Sequence, residues 1–467
     1  MNERKNEERQ EYSLKHALAF SSAPLVDAIA YQSFTFLIFT FYYTIVRINV
    51  VLISIGFAIW SVWNAVNDPL LGALSDRTHT KRGRRIPWIM ASTIPLGLVM
   101  ILLYTPPISI GISDEISNFV YFLIIIIVFE FFYTMYSVNQ TALFPEVFIS
   151  KDARAKANTI KQISIVIALI VAFILPTLFI PDLTDRKYLP NYWIFGIITC
   201  ILLIIGSVIF LKWGAREKAE FKEDYKNMPG LFESFRICVK NKNFRWAAFS
   251  IVFVWFVFGM LPTILPLYGK FVLGINNSIY IALILALAFI SAIIFIVLWR
   301  IVLLKIGPRK TWIYSLSTWI ITLLLLLFIM DFVWALLIFF LMGSGLAGGL
   351  FLRDITWADI IDEDELNTGV RREAAYYGMN AFFMRFSTIL IFLAISLVFT
   401  STGWAVYAPE KVTSEVIFGL KLLMVVFPSI ALGIAIFGFY MYPLHGERLR
   451  EVKIAQQKLH AEKRSKL

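Results

Sequence analysis

Phe119-Val-Tyr-Phe-Leu-Ile-Ile-Ile-Ile-Val-Phe-Glu-Phe-Phe132 is apolar throughout except for one carboxylate, Glu130. A strand of a membrane barrel alternates apolar with polar residues over about ten positions. Nothing alternates here, nor in the similar run Ile163 to Leu175. Apolar runs of about twenty residues, enough to cross a hydrocarbon core of about 30 Å as helix, recur along the 467-residue chain. The composition agrees: 59% of residues are hydrophobic and 16% charged, with a mean hydropathy of +0.73, against roughly 25% charged in soluble domains. The expectation is an all-α membrane protein.

Working outward by hydropathy, spans fall near 24–46, 50–74, 86–105, 119–144, 160–180 and 192–211, then 246–268, 277–304, 312–330, 333–356, 376–400 and 418–442. Twelve transmembrane helices in two six-helix bundles are therefore expected. The chain divides into an N-terminal tail (1–16), a first bundle (17–211), a central loop (212–245), a second bundle (246–443) and a C-terminal tail (444–467). Residues 1–11 are polar and lack the short apolar region of a secretory signal peptide. Leu231, Phe232, Phe235, Cys238 and Val239 have helical apolar spacing, so the end of the central loop reads as a surface helix, on the membrane or in solvent. The C-terminal tail, helical in pattern and rich in charge, reads as a mobile segment.

Placing both tails and the even-numbered loops on one side collects 35 of the 43 Lys and Arg residues there, counting Lys161 and Arg300 near the adjoining span ends. The positive-inside rule makes that side cytoplasmic, and the cell membrane is the expected location. It also accounts for the formal charge of +11 without nucleic acid. Two cysteines, Cys200 and Cys238, provide no disulfide framework, and the four histidines are scattered. No nucleophile–base pair, metal-ligand cluster or phosphate-cradling loop stands out, so neither an enzyme nor a cofactor is expected.

A charge at the centre of a membrane helix costs at least about 2.5–3.5 kcal/mol, so each needs a partner or a cavity. These charges are Asp27, Asp68, Glu130, Arg353, Asp354 and Arg385. Asn64, Asn67 and Asp68, at i, i+3 and i+4, present three oxygen-bearing side chains on one helix face, suited to a hard cation such as Na⁺ or, through Asp68, to a proton. Glu130, Thr134, Ser137 and Thr141 form a polar stripe with Asn139 and Gln140 beside it. Gly343, Gly345, Gly348 and Gly349 allow either bending or close packing of the tenth span.

Trp63-Asn-Ala-Val-Asn-Asp-Pro-Leu-Leu-Gly-Ala-Leu-Ser-Asp-Arg-Thr-His-Thr-Lys-Arg-Gly-Arg-Arg-Ile-Pro-Trp88 resembles the signature of the glycoside-pentoside-hexuronide:cation symporters of the major facilitator superfamily. Phe144-Pro-Glu with Lys151 to Arg154, and Ala358 to Glu373, continue the resemblance in order. It implies a major-facilitator-type fold, alternating access and a sugar or glycoside substrate carried by a monomer in the lipid bilayer with Na⁺ or H⁺. It places the cation site on Asp68, Asn64, Asn67 and Thr134, with Asn64 standing where the family has a second carboxylate. Arg385 matches the family's basic residue of span 11. The family's sugar-binding aspartate, tryptophan and arginine fall on Ser137, Thr141 and Gln162, which do not preserve that pattern. The expected substrate set is Asp27, Tyr31, Gln32, Glu130, Ser137, Asn139, Gln140, Arg353, Asp354 and Arg385. Asp76, Arg77, Arg84, Arg85, Asp359, Asp362, Glu365 and Glu373 resemble the family's cytoplasmic gating charges. A lysolipid or other amphiphile carrier, or an uncoupled facilitator, is the alternative.

Overall fold

The computed structural model describes residues 13–78, 80–148, 151–216, 231–329, 331–369 and 372–465. Eleven helices among them are long and apolar enough to span a bilayer. The twelfth expected span is the helix Ile86–Leu102, which at 17 residues rises only about 25 Å. A chain turn at Leu103–Thr105 and the short 3-10 helix Pro107–Ile110 follow it.

The chain forms two compact units. Met1–Met228, with Asn276–Ala282 and Ala405–Ala408, makes the first. Its helices are α1 (Leu14–Thr40), α2 (Val50–Asp76), α3 (Ile86–Leu102), α4 (Glu115–Val147), α5 (Lys151–Phe179) and α6 (Leu189–Ile209). Within it α1 packs on α5 and α6, α4 on α2 and α3, and α3 on α6. Gly196 permits the last of these contacts, because a Cβ there would lie 2.8 Å from the Met100 carbonyl oxygen.

Pro229–Ile275, Leu283–Trp404 and Pro409–Leu467 make the second unit. It contains α7 (Leu231–Lys240), α8 (Lys242–Phe271), most of α9 (Ser278–Ile306), α10 (Pro308–Leu325), α11 (Phe332–Thr368), α12 (Glu373–Ser401), α13 (Ser414–Lys421), α14 (Phe427–Tyr440) and α15 (Gly446–Ser465). A π turn, Leu422–Val426, joins α13 to α14 as one span. The glycines of α11 form a packing seam. A Cβ on Gly343 would meet the Ala288 carbonyl oxygen of α9 at 2.6 Å, and those on Gly345 and Gly348 would collide with Trp319 and Ser315 of α10.

Burial shows which solvent the helices are built for. On α2, Val62, Val66, Leu70 and Leu74 are exposed, whereas Trp60, Asn64, Asn67, Leu71 and Ser75 are buried. An apolar outer face with amides inside suits lipid rather than water.

Candidate functional site

In the first unit, α2 and α4 turn their polar faces toward each other. Thr134 Oγ1 lies 2.8 Å from Asp68 Oδ1 and 3.4 Å from Glu130 Oε1, one turn earlier on its own helix. Asn67 Nδ2 donates to the Glu130 backbone carbonyl at 3.2 Å, which ties the two helices at this level. Asn64 is fully buried, and neither its amide nitrogen nor its carbonyl oxygen has a hydrogen-bond partner; the Asn67 Oδ1 atom lacks one too. The four expected cation-site residues, Asn64, Asn67, Asp68 and Thr134, thus lie on the facing sides of this helix pair. Glu130, expected at the substrate, joins them.

The arrangement has a definite chemistry. A hydroxyl has one proton to donate, and Thr134 faces two carboxylate oxygens. With both acids ionised, one of the two contacts brings oxygen lone pairs together. A proton on one acid, or a cation among the oxygens, relieves it. Asp68 is the carboxylate on this face of α2, and Glu130 adds one from α4.

A second cluster lies between α1 and α4. Asp27 is 8% exposed, and its Oδ2 accepts from Ser137 Oγ at 3.1 Å and from Gln140 Nε2 at 3.3 Å. Asp27 Oδ1 is buried with no donor. Ser137 Oγ also lies 3.5 Å from the Tyr133 hydroxyl. Tyr31 stacks on Tyr133, with ring centroids 4.7 Å apart, and Phe129 stacks on Phe34 at 4.2 Å. The positive charge of Lys161, on α5, acts on Asp27, and its ammonium lies 4.8 Å from the Phe144 ring centroid.

Tyr133 and Lys161 were not evident from the sequence as members of this cluster. Lys161 sits at the edge of its span, where a topogenic loop charge is indistinguishable from a buried partner. Of the remaining substrate expectations in this unit, Asn139 donates to the Met135 carbonyl of its own helix, and Gln32 is half-buried on α1. Thr141 and Gln162 are exposed.

In the second unit Arg353 and Asp354 pair with each other at 3.0 Å, with the Arg353 guanidinium 5.4 Å from the Trp255 ring centroid. Asp354 has a 60% exposed side chain. Arg385 is half-buried on α12.

Several of the expected gate charges form ion pairs inside their own unit. Arg84 and Arg85, both buried, hold Glu146 Oε1 at 2.6 and 3.3 Å. Arg77 is exposed, and the Asp76 side chain lies outside the described part. In the second unit Lys453 of α15 bridges Asp359 and Asp362 at 2.6 and 2.8 Å, and Arg448 holds Glu363 at 2.6 Å. Glu365 is buried beside them on α11, and Glu373 is exposed at the start of α12. The C-terminal segment, read from sequence as mobile, is a helix docked on α11. Its two bases reach three buried carboxylates. Lys453 lies outside the spans. Burial alone would lower its pKa, but the Asp359 and Asp362 carboxylates outweigh burial and hold it above the ordinary lysine range.

Comparison with known proteins agrees with this architecture. Residues 19–446 match the family described as MFS/sugar transport protein. The chain is 26% identical over 454 residues to a sodium-dependent lysophosphatidylcholine symporter 1 of Gallus gallus, covering 88% of this chain and 83% of that protein. It is 24% identical over 340 residues to a lactose permease of Lactobacillus helveticus, covering 69% of this chain and 51% of the permease. Similarity to an uncharacterized symporter of Synechocystis sp. is 28% over 203 residues, 42% of this chain and about a third (36%) of that one. The crystal structure of a nucleoside transporter superposes with a TM-score of 0.64 at 15% identity, covering 92% of this chain and all of that one. These relatives and neighbours are transporters, not enzymes. The chain is a multi-pass membrane protein of the MFS/sugar transport protein family, a secondary transporter of small molecules.

Proposed function

We propose that this protein is a cation-coupled symporter of a sugar-like polar solute, with the cation bound between α2 and α4. One observation carries the reading: the Thr134 hydroxyl is shared between Asp68 and Glu130, beside a buried Asn64 whose amide atoms have no partner. A single Na⁺ or H⁺ satisfies that set of oxygens. The Asp27, Ser137 and Gln140 cluster, with the Tyr31–Tyr133 stack, takes the solute. Asp27 Oδ1 accepts a substrate hydroxyl, and the stacked rings offer a face to the sugar's C–H groups. The chain works as a monomer in the cell membrane with both termini cytoplasmic, where 35 of its 43 Lys and Arg residues then lie. The charged ends of α3, α4 and α11 form and release ion pairs as access alternates.

A second reading, transport of a lysolipid, is favoured by the near full-length similarity to the lysophosphatidylcholine symporter and by the family's sugar-binding positions holding Ser137, Thr141 and Gln162. Proteoliposomes loaded with the purified protein and offered radiolabelled sugars, glycosides and lysolipids separate the two. Saturable sugar uptake supports the first reading. Movement of lysolipid alone replaces it with the second.

A further inference from the structure

A polar cavity of about 430 Å³ opens in the second unit, at the end of the bundle that carries α15. It is walled by the C-terminus of α7, the first turn of α8, the end of α11, the residue preceding α12 and the start of α15. Four cationic side chains line it, Lys240, Lys242, Arg372 and Arg448, against two carboxylates, Glu363 and Asp364. The arginines are already committed. Arg372 grips Asp364 with two nitrogens at 2.9 and 3.0 Å, and Arg448 grips Glu363 at 2.6 and 3.1 Å. Lys240 and Lys242 are exposed and have no carboxylate contact among the described residues. The cavity therefore keeps a surplus of two positive charges.

Its floor is also unsatisfied. Asn243 is 3% exposed, gives its amide N–H to Glu363, and is left with an Oδ1 that no donor reaches. A buried amide oxygen without a donor costs about 1–3 kcal/mol. The ligand that answers both features has about two negative charges and at least one hydroxyl. A phosphate monoester on a polyol has both. At neutral pH it carries about −1.5 to −2 charge and three strong acceptor oxygens.

From this geometry we infer that the cavity between α7, α8, α11 and α15 is a binding site for a hydroxyl-bearing phosphate monoester, separate from the transport clusters of the first unit. Lys240 and Lys242 take the phosphate, and Asn243 Oδ1 accepts the hydroxyl. The ligand also lies against Arg448, which links α15 to α11, so its binding clamps the C-terminal helix in place.

The source of the phosphate is either a soluble ester or the headgroup of a phosphoinositide, a monoester phosphate on a hydroxyl-bearing ring, at the membrane surface. The full chain in phosphatidylcholine nanodiscs is titrated with glycerol 3-phosphate, and with glycerol and sulfate at matched ionic strength, while the thermal midpoint and tryptophan fluorescence are followed. A parallel set of nanodiscs contains phosphatidylinositol 4-phosphate. Saturable binding of glycerol 3-phosphate, weakened at least tenfold in Lys240→Ala/Lys242→Ala, supports the site with a soluble ligand. A midpoint raised only by phosphatidylinositol 4-phosphate, and lost in the same variant, supports it with a lipid. Both lysines are exposed, so the unliganded variant keeps the wild-type midpoint. A response equal to that with sulfate, one retained by the double variant, or none at all overturns the inference. Because the readout is binding, none of these outcomes depends on which substrate is transported.

Discussion

The Thr134 hydroxyl lies 2.8 Å from Asp68 Oδ1 and 3.4 Å from Glu130 Oε1, and it has one proton to offer the two acids. Removing it in Thr134→Ala leaves both carboxylates without that donor and removes one oxygen of the proposed ion site. A hydrogen bond to a charged group is worth about 1.5–3 kcal/mol, so the half-saturating ion concentration for transport rises by about tenfold or more. Thr134→Ser keeps the hydroxyl and stays within about threefold of wild type. Equal values for the alanine and serine variants contradict this role.

The glycine seam gives a stability prediction. A methyl group on Gly343 meets the Ala288 backbone carbonyl at 2.6 Å and the Ala292 nitrogen at 2.9 Å, and backbone does not move aside as a side chain does. Overpacking of this kind costs about 1–3 kcal/mol. Gly343→Ala is expected to lower the thermal midpoint in detergent by several degrees. Gly433→Ala, on α14 with open space around the added methyl, does not.

Docking of α15 follows the titration of Lys453. The folded protein holds this lysine above its ordinary value, so its contribution is complete below about pH 10.4 and is lost as pH climbs through the raised value. A nitroxide on Gln456→Cys, in a background lacking the native cysteines, is expected to stay immobilised from neutral pH up to the ordinary lysine range and to loosen above it. Lys453→Ala loosens it at neutral pH. A label that is mobile in the otherwise unchanged chain at pH 7 refutes the docking.

Cys238, on α7, is fully buried, and its thiol is pushed up to about 12 by burial first, with Asp364 adding to the effect and Arg372 opposing it. It is a neutral thiol at pH 7 and an unreactive one. In a Cys200→Ala background a maleimide is expected to label it slowly. Phe235→Ala removes the ring that faces Phe382 and Phe383 of α12 and speeds labelling severalfold. Rapid modification of the unmutated helix would place α7 away from α12.

The helices were legible in sequence because hydropathy alone decides which segments enter lipid. The helix ends at Leu102, three residues short of the expected 86–105 span, since Leu103 and Tyr104 continue the hydrophobic pattern past the point where the chain turns. The glycine pattern left bending and packing open, and the sub-3 Å approaches to α9 show close packing. Asn64, Asn67 and Asp68 were legible as a group because helical spacing puts them on one face. Glu130 was not assigned to them, because α4 is polar on both sides of Thr134 and spacing cannot tell which residues meet α2 and which meet α1. Ser137 and Gln140, one turn on, face Asp27 instead. The docking of α15 was hidden for a related reason: Arg448 and Lys453 look like solvated tail charges until the buried acids of α11 come into contact with them.

Ion coupling through the α2–α4 carboxylates is tested most directly by substrate uptake into proteoliposomes under an imposed Na⁺ or H⁺ gradient, comparing wild type with Asp68→Asn and Glu130→Gln. The expected result is accumulation above equilibrium in the wild type. Asp68→Asn should show only passive equilibration, and Glu130→Gln a demand for at least tenfold more ion. Uptake that ignores the gradient and is unchanged in both variants would make the protein a facilitator and contradict the site.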